Sequence, residues 1–227
     1  MKRAAREQFD SWAESYDQLV LNRFMFGPSH RAFIEELLQW RKRGGPDRFD
    51  VLDVGCGTGG LAAMLIESKL AGRVAGLDYA EQMCRVARAK AAEYARDGSA
   101  VFVRGDSEHL GFGAGCFDVV TCSNSFHHYP HQADVLVDMR RVLRPGGRLM
   151  IIDGFRDNVV GWLVFDVMVR AVEGEVHHVT WSAMRRMFQD AGLVDVRQRK
   201  LNFWMPLLLT VGTVPETVQS QTAWSQV

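Results

Sequence analysis

A glycine-rich turn follows the first strongly apolar stretch of the chain. Residues 51–60 read VLDVGCGTGG, so a short buried strand runs into Gly55, Gly57 and Gly59 and then into a helix. Backbone N–H groups and the helix N-terminus at such a turn can bind the polar end of a ligand. Side chains larger than glycine would block that approach. The pattern therefore predicts a small-ligand site rather than a tight turn without a ligand.

An acidic residue follows this turn at the spacing used to hold a ribose. Asp78 comes 19 residues after the last of these glycines, at the end of the second predicted strand, where a carboxylate can accept both ribose hydroxyls. It can also cap the next helix, because Ala80 offers no cap. The turn satisfies G-x-G-x-x-G through Gly55, Gly57 and Gly60, so an NAD-dependent oxidoreductase is an alternative. That alternative lacks a Tyr-x-x-x-Lys pair.

Two pairs of histidines are candidates for proton transfer. His127 and His128 lie in the loop SNSFHHYP after the fourth predicted strand, where an imidazole can act as a general base near neutral pH. Each is explained equally well as a residue that orders the loop. His177 and His178 precede the last predicted helix, so His178 is a further candidate that could face an acceptor. With Glu175 they lack the H-E-x-x-H spacing, and no metal site is predicted.

Alternating strands and helices must position these residues. Apolar runs predict strands at 49–54, 73–77, 100–103, 117–122 and 148–152, and helical periodicity predicts helices at 60–68, 81–96 and 133–143. Segments of this length in this order form right-handed βαβ units on a parallel sheet. Two earlier helices are predicted at 4–17 and about 29–41. The residues PGG at 145–147 are expected to separate the last of the three later helices from the fifth strand.

The last third of the chain has a different pattern. Residues 162–172 are apolar except for Asp166 and Arg170, which suits a lid over a lipophilic acceptor, core packing or a dimer face. Thr180 and Gly192 have the residue types of an N-cap and a C′ position and bracket a helix. Strands at 194–201 and 205–212 then form a hairpin, which requires one strand to run against the sheet.

These elements predict an α/β fold. We expect a Rossmann-like doubly wound sheet of seven strands, mostly parallel with one antiparallel strand near the C-terminus, with N-terminal helices and a helical lid before the last helix. A chain of 227 residues suits a single domain. We divide it into a helical cap at 1–45, a cofactor-binding half at 46–153, a lid and substrate-side half at 154–215, and a flexible tail at 216–227.

Further motifs, in order along the chain, distinguish between the cofactors. Asp53 lies two residues before Gly55, GLD at 76–78 ends the second strand, GDS at 105–107 follows the third, and LRPGGR at 143–148 leads into the fifth. FDSWA and YD lie at 9–17. Over residues 9–153 these motifs resemble the class I S-adenosylmethionine-dependent methyltransferases, in the ubiquinone/menaquinone-biosynthesis (methyltransferase type 11) group. The chain after residue 153 matches only in general layout.

The resemblance implies roles for individual residues in binding S-adenosylmethionine. It places the glycines at the methionine end with Asp53 nearby, Asp78 on the ribose, and Asp106 on the adenine amino group. Tyr16 would close over the cofactor carboxylate, and Ser107 would assist through its N–H. The full set of implied cofactor-binding residues is Tyr16, Asp53, Gly55, Cys56, Gly57, Gly59, Asp78, Tyr79, Met83, Asp106, Ser107 and Ser123.

Charge and composition limit the partners. Lys+Arg and Asp+Glu are equal at 27 each, which does not indicate a nucleic-acid-binding surface. The loop after the fourth strand also lacks the Asn/Asp-Pro-Pro-aromatic sequence of enzymes that methylate bases or glutamine. Four cysteines without a C-x-x-C pair, no signal peptide and no transmembrane run favour a cytoplasmic protein. We expect a small-molecule acceptor and no nucleic acid, with a homodimer as an option.

Three functional hypotheses follow. The favoured one is S-adenosylmethionine-dependent methyl transfer, with S-adenosylhomocysteine as product, to a small lipophilic or aromatic acceptor, on oxygen, carbon or nitrogen. The second is an NAD-dependent oxidoreductase, and the third is a non-catalytic S-adenosylmethionine-binding protein. Comparing the binding of S-adenosylmethionine and NAD separates the first two, and turnover separates the third.

Overall fold

Two segments lie at the carboxyl ends of the strands of a mixed β-sheet: the glycine turn, residues 55–60, and the histidine loop, residues 123–130. The computed structural model describes residues 20–95, 97–155, 157, 176–201 and 206–216, with side chains from residue 27 onward. The strands are β1 Phe49–Val54, β2 Ala71–Asp78, β3 Ala100–Arg104, β4 Phe117–Ser123, β5 Leu143–Gly154, β6 Val194–Lys200 and β7 Leu207–Thr213. The α-helices of the described ranges are α1 Val20–Lys42, α2 Gly60–Glu67, α3 Glu81–Tyr94, α4 Gln132–Arg141 and α5 Trp181–Asp190.

The seven strands lie in the order β3-β2-β1-β4-β5-β7-β6. The first five strands of the chain are parallel to one another, whereas β7 runs antiparallel to both β5 and β6. This confirms the predicted Rossmann-like sheet with its C-terminal hairpin. The strand order reverses between β1 and β4, and ligands of open α/β sheets bind outside the carboxyl ends of the strands at such a point.

Alternate residues of β1 pack into cores on the two faces of the sheet. Phe49 and Val51 pack with α1 and α2, and Leu52 and Val54 pack on the opposite face with α4 and α5. A strand buried on both faces is largely apolar, and in β1 only Asp50 and Asp53 interrupt the apolar residues. The helix residues that complete the two cores include Phe33, Leu37, Leu61 and Leu65 on one side and Leu136, Met139 and Phe188 on the other.

The first described helix begins earlier than predicted. The pattern indicated a start near Ser29, but α1 begins at Val20 and continues through Pro28. Proline lacks a helical N–H donor and clashes with the preceding turn, which is why the sequence indicates a boundary there. Complete burial of Phe33 and Leu37 favours the helix despite that cost. The helix predicted at 4–17 and the apolar segment 162–172 lie outside the described residues.

The PGG sequence lies inside β5, so the predicted separation of helix and strand there is wrong. β5 begins at Leu143, which pairs with Phe117, and Arg148 then pairs with Val119. Four residues of β5 therefore lie between partners only two apart on β4. Such a bulge accommodates a proline and glycines within a strand.

The predicted ends of α5 are confirmed. Thr180 caps α5, because its Oγ1 accepts a hydrogen bond from Ala183 N at 3.2 Å, and Gly192 has φ +79° just beyond the helix. Cys84 and Cys122 are fully buried thiols. Among the described residues, no helix combines the length and the apolar character needed to cross a membrane.

Candidate active site

The glycine turn between β1 and α2 is shaped by neighbouring elements. The N–H groups of Gly55 and Cys56 donate to Leu77 O at 2.8 and 3.1 Å, which ties the turn to the end of β2. Gly55 has φ +74°, and a Cβ there would lie 2.2 Å from Ser125 Oγ. Gly57 has φ +51°, and no described atom lies within 4 Å of the position that its Cβ would take. The turn is closed behind Gly55 and open beside Gly57, as a ligand cradle requires.

Asp78 orders this turn from the end of β2. Its Oδ2 accepts a hydrogen bond from Gly57 N at 2.8 Å, and its Oδ1 accepts one from Ala80 N at 2.9 Å. The carboxylate therefore connects the glycine turn to the start of α3. This position fits both readings of the sequence, a local role at the start of α3 and a carboxylate beside the ligand cradle.

Asp53 is buried at the end of β1 beneath the turn. Its Oδ1 accepts a hydrogen bond from Thr121 Oγ1 at 2.8 Å. Burial raises the pKa of Asp53 to about 7; the hydrogen bond from Thr121 opposes this rise, and the charge of Asp78 adds to it. A carboxyl group with this pKa is close to equally charged and neutral at physiological pH, so a cation bound nearby can decide its charge.

Asp106 lies after β3, at the same edge of the sheet. The N–H of Gly105 donates to Asp78 O at 2.9 Å, which places the loop beside the end of β2. Asp106 Oδ1 accepts a hydrogen bond from Glu108 N at 3.0 Å, so the loop folds around this carboxylate. Ser107 is buried directly after it.

The other residues implied in cofactor binding also follow the ends of these strands or start the adjacent helices. Tyr16 is outside the described residues. Gly59, with φ +78°, is the N-cap of α2. Of the rest, Cys56 and Met83 are buried, Tyr79 is exposed, and Ser123 is half-buried at the end of β4.

His127 is hydrogen-bonded to a buried acid, Asp153, which the sequence analysis did not predict. His127 Nδ1 lies 2.6 Å from Asp153 Oδ1, and the N–H of His127 donates to Asp153 Oδ2 at 2.8 Å. Gly154 N also donates to Oδ1 at 2.7 Å. Burial opposes ionisation of Asp153, but the charge and hydrogen bond of His127, with smaller contributions from His178 and the Gly154 N–H, hold its pKa below the ordinary value. Asp153 is therefore a carboxylate at neutral pH.

Two further imidazole rings contact His127. The ring of His178 stacks on it with centroids 4.5 Å apart and an interplanar angle of 23°, and the ring of His128 lies 4.2 Å away at 48°. His127 and His178 are buried, whereas His128 is half-buried and His177 is exposed. The structure therefore brings together three of the four candidate histidines.

Three side chains, those of His127, Asp153 and His178, each offer one atom that could bind a metal ion, and these atoms lie within 4.8 Å of one another. The oxygens of Asp153, however, already accept three N–H groups. The lone pair of an imidazole nitrogen lies in the ring plane, and the two nearly parallel rings do not direct theirs to one point. The arrangement fits proton transfer better, and the absence of a metal from the reaction stays a prediction.

The histidine loop is also tied to α1. Asn124 adopts φ +51°, which asparagine tolerates better than most residues. Its N–H donates to Ile152 O at 2.7 Å, and its Nδ2 donates to Ser29 Oγ at 3.2 Å. The loop is thus fixed by β5 on one side and by the fully buried Ser29 on the other.

Comparisons with known proteins agree with this geometry. Residues 52–151 match a methyltransferase domain family. A demethylmenaquinone methyltransferase of Listeria welshimeri is 34% identical over 169 residues, covering 65% of this chain and 71% of that protein. Another from Listeria monocytogenes is 38% identical over 125 residues, so the chain spans about half of it, with coverage of 54% of this chain and 52% of that protein.

A solved structure has the same fold over nearly the whole chain. The magnesium protoporphyrin IX methyltransferase of Synechocystis, with bound S-adenosylhomocysteine, gives a TM-score of 0.75 at 17% identity and covers 94% of this chain and 100% of that one. This likeness shows that the two proteins share a fold. The chain belongs to the class I S-adenosylmethionine-dependent methyltransferases of the ubiquinone/menaquinone type.

Proposed function

We propose that this methyltransferase acts on a small aromatic or lipophilic acceptor that carries a weakly acidic hydroxyl group, and that His127 removes the proton of that hydroxyl. The observation that carries the proposal is the 2.6 Å contact between His127 Nδ1 and the buried carboxylate of Asp153. The assignment of the hydrogen to Nδ1 follows from the charge of Asp153, because a carboxylate accepts and does not donate.

This hydrogen bond selects the tautomer of His127. With the hydrogen on Nδ1, the lone pair is on Nε2, which is then the basic nitrogen. When Nε2 takes the acceptor proton, the ring becomes an imidazolium, and the Asp153 carboxylate stabilises that charge. Asp153 is a positioning residue, since it acts on the acceptor through His127. His128 and His178 enclose the ring and restrict its orientation.

The residues of the cofactor half fit S-adenosylmethionine. A Cβ on Gly57 would project into the open side of the turn, where the methionine end is expected to lie. Asp53 would favour the cofactor ammonium group, Asp78 the ribose and Asp106 the adenine. When bound, the cofactor supplies a reactive methyl group on a sulfonium. The protein then contributes alignment and exclusion of water, which are together worth roughly 7–11 kcal/mol of barrier in well-oriented systems.

A hydroquinone is the first acceptor to test. The curated relatives are named demethylmenaquinone methyltransferases, and a hydroquinone carries a weakly acidic hydroxyl. Removal of the hydroxyl proton leaves a negative charge that the oxygen shares with the adjacent ring carbon, so either atom can take the methyl group. A general base at this position is worth roughly 10²–10⁴-fold in rate.

The test is a panel of acceptors assayed by formation of S-adenosylhomocysteine. Hydroquinones, catechols and simple phenols should be methylated, whereas primary amines of similar size should not. Mass spectrometry of the product identifies oxygen or carbon as the site. Methylation of amines alone would refute the proposed acceptor class. A cytoplasmic location, a homodimer and the absence of nucleic-acid binding stay predictions.

A further inference from the structure

The chain segment before α5 is fastened to the histidine loop through the backbone of His177. The N–H of His177 donates to His127 O at 2.7 Å. The carbonyl of His177 accepts a hydrogen bond from Gln132 Nε2 at 2.8 Å. Both polar backbone groups of this residue are therefore engaged by the segment that follows β4, although the two segments are about 45 residues apart in the chain.

The side chain of Gln132 bonds to both segments. Its Nε2 donates to Phe126 O at 3.0 Å as well as to His177 O. A carboxamide nitrogen has two N–H groups, and here one points to each carbonyl. Gln132 is the first residue of α4, and Phe126 is fully buried. The amide thus holds His177 at a fixed distance from an immobile part of the loop.

The two carbonyls belong to the residues directly before the stacked rings. Phe126 precedes His127, and His177 precedes His178. The position of each ring relative to the other therefore depends on the distance between these two carbonyls. The stack, with centroids 4.5 Å apart, keeps the His127 ring in the orientation in which Nδ1 reaches Asp153.

We propose that Gln132 is a positioning residue that sets the register of His178 against His127. Its side chain acts through the two carbonyls to which it donates. Its effect on turnover rests on the proposed function, whereas its effect on the histidine rings does not. Loss of the amide leaves the segment 176–178 fastened to the loop by the His177 N–H alone, so the segment can shift against the loop and loosen the contact between the His127 and His178 rings.

Gln132→Met and Gln132→Glu test this role, because both keep the length of the side chain and remove the two N–H donors. Gln198 provides matched controls, Gln198→Met and Gln198→Glu. Its Nε2 likewise donates twice, to Trp181 O at 2.9 Å and Thr210 Oγ1 at 3.2 Å, but outside the loop.

The first measurement needs no acceptor. Nitrogen-15 NMR of the histidine side chains, assigned with His127→Gln and His178→Gln, reports the His127 Nδ1–H and the two rings. The Gln132 variants should shift the signals of both His127 and His178 and leave that of the exposed His109 in place. The Gln198 variants should shift neither ring. Unchanged His127 and His178 signals in both Gln132 variants would overturn the proposal.

The second measurement is kinetic. We expect kcat to fall about tenfold in the Gln132 variants, since small displacements of a catalytic group are costly, while the affinity for S-adenosylmethionine stays within about twofold. A parallel loss of cofactor affinity and of melting temperature would indicate a general folding defect and would refute a positioning role. If no acceptor supports turnover, the proposed function fails, but the histidine signals still decide the role of Gln132.

Discussion

Thr121 Oγ1 donates a 2.8 Å hydrogen bond to the carboxyl group of Asp53, and this bond opposes the rise in the pKa of Asp53 that burial and the charge of Asp78 cause. The hydroxyl offsets only part of the cost of burying a negative charge beneath the glycine turn. The site therefore contains an acid that is strained electrostatically until a cationic group arrives.

The contribution of Asp53 to the stability of the free protein should fall as pH rises from about 4 to about 7. The pKa of Asp53 rises from 3.8 unfolded to about 7 folded, so in this window the folded state holds a proton that the unfolded state has lost. Each unit is worth about 1.4 kcal/mol. Asp53→Asn should thus be more stable than the parent at pH 8, and similar at pH 4. Urea unfolding at several pH values measures this.

Asp50 is the matched control for this experiment. A hydrogen bond from Arg73 lowers its pKa, burial opposes the shift, and Arg144 adds to the lowering. Its contribution is therefore present at neutral pH and lost as pH falls through the folded pKa, the opposite sign from Asp53. If the free energies of unfolding of Asp53→Asn and Asp50→Asn depended on pH in the same way, the opposite pKa shifts of Asp53 and Asp50 would be contradicted.

Asp78→Ala should weaken binding of S-adenosylmethionine by roughly 1.5–3 kcal/mol, because the ribose hydroxyls would lose a charged acceptor. We expect the parent to bind in the micromolar range, around −8 kcal/mol, and to bind NAD much more weakly. Calorimetry measures both, with Asp134→Ala on the exposed side of α4 as a control. Unchanged cofactor affinity in a folded Asp78→Ala protein would restrict Asp78 to ordering the turn.

His127→Gln should lower kcat by about 10²-fold or more, with little change in cofactor affinity. The acidic limb of the pH–rate profile should change, because the titrating nitrogen is gone. Asp153→Asn should also lower kcat, since the tautomer of His127 is no longer selected. The double variant should lose little beyond His127→Gln, because the two residues act as one unit. His131→Gln, exposed before α4, should keep full activity, and simple additivity of the two losses would argue against the pair.

Gly55→Ala and Gly57→Ala should separate folding from binding. At Gly55 the added methyl group would lie 2.2 Å from Ser125 Oγ with φ +74°, so stability should fall by about 1–3 kcal/mol or more. At Gly57 only the φ of +51° is strained, and the methyl group points into the open cradle, so cofactor affinity should fall more than stability. Ser125→Gly should partly rescue Gly55→Ala. Equal stability losses without rescue would refute this distinction.

The sheet could be predicted because short segments of the sequence specify its strands and turns. The apolar residues of β1 predict a buried strand, and the glycines after it predict a turn. The position of Asp78 predicts the end of β2. Cap residues such as Thr180 identified the start of α5 for the same reason. Boundaries failed where tertiary packing outweighed local signals. Pro28 indicates a helix start and Pro145 a break, yet α1 and β5 continue through them.

The histidine site was predictable only in part. The loop after β4 indicated His127, but its partner Asp153 lies 26 residues further, inside an apolar strand where it reads as a strand end. The adjacency of β4 and β5 provides the missing signal, since carboxyl ends of neighbouring parallel strands meet. The contacts of His178 and Gln132 depend on a segment about 45 residues away and have no local sequence pattern.

The reversed direction of β7 affects how this enzyme could diversify. Because β7 runs antiparallel to β5, Gly154 pairs with Leu207, and Phe155 N donates to Pro206 O. The chain therefore enters β7, the last described strand, beside Asp153, at the edge that carries the proposed site rather than at the opposite one. Under the proposed function, substitutions at Pro206 or Leu207 would alter the surroundings of the acceptor without touching the glycine turn, Asp78 or Asp106. A new substrate preference could thus be acquired at the start of β7 while the residues proposed to bind the methyl donor stay unchanged.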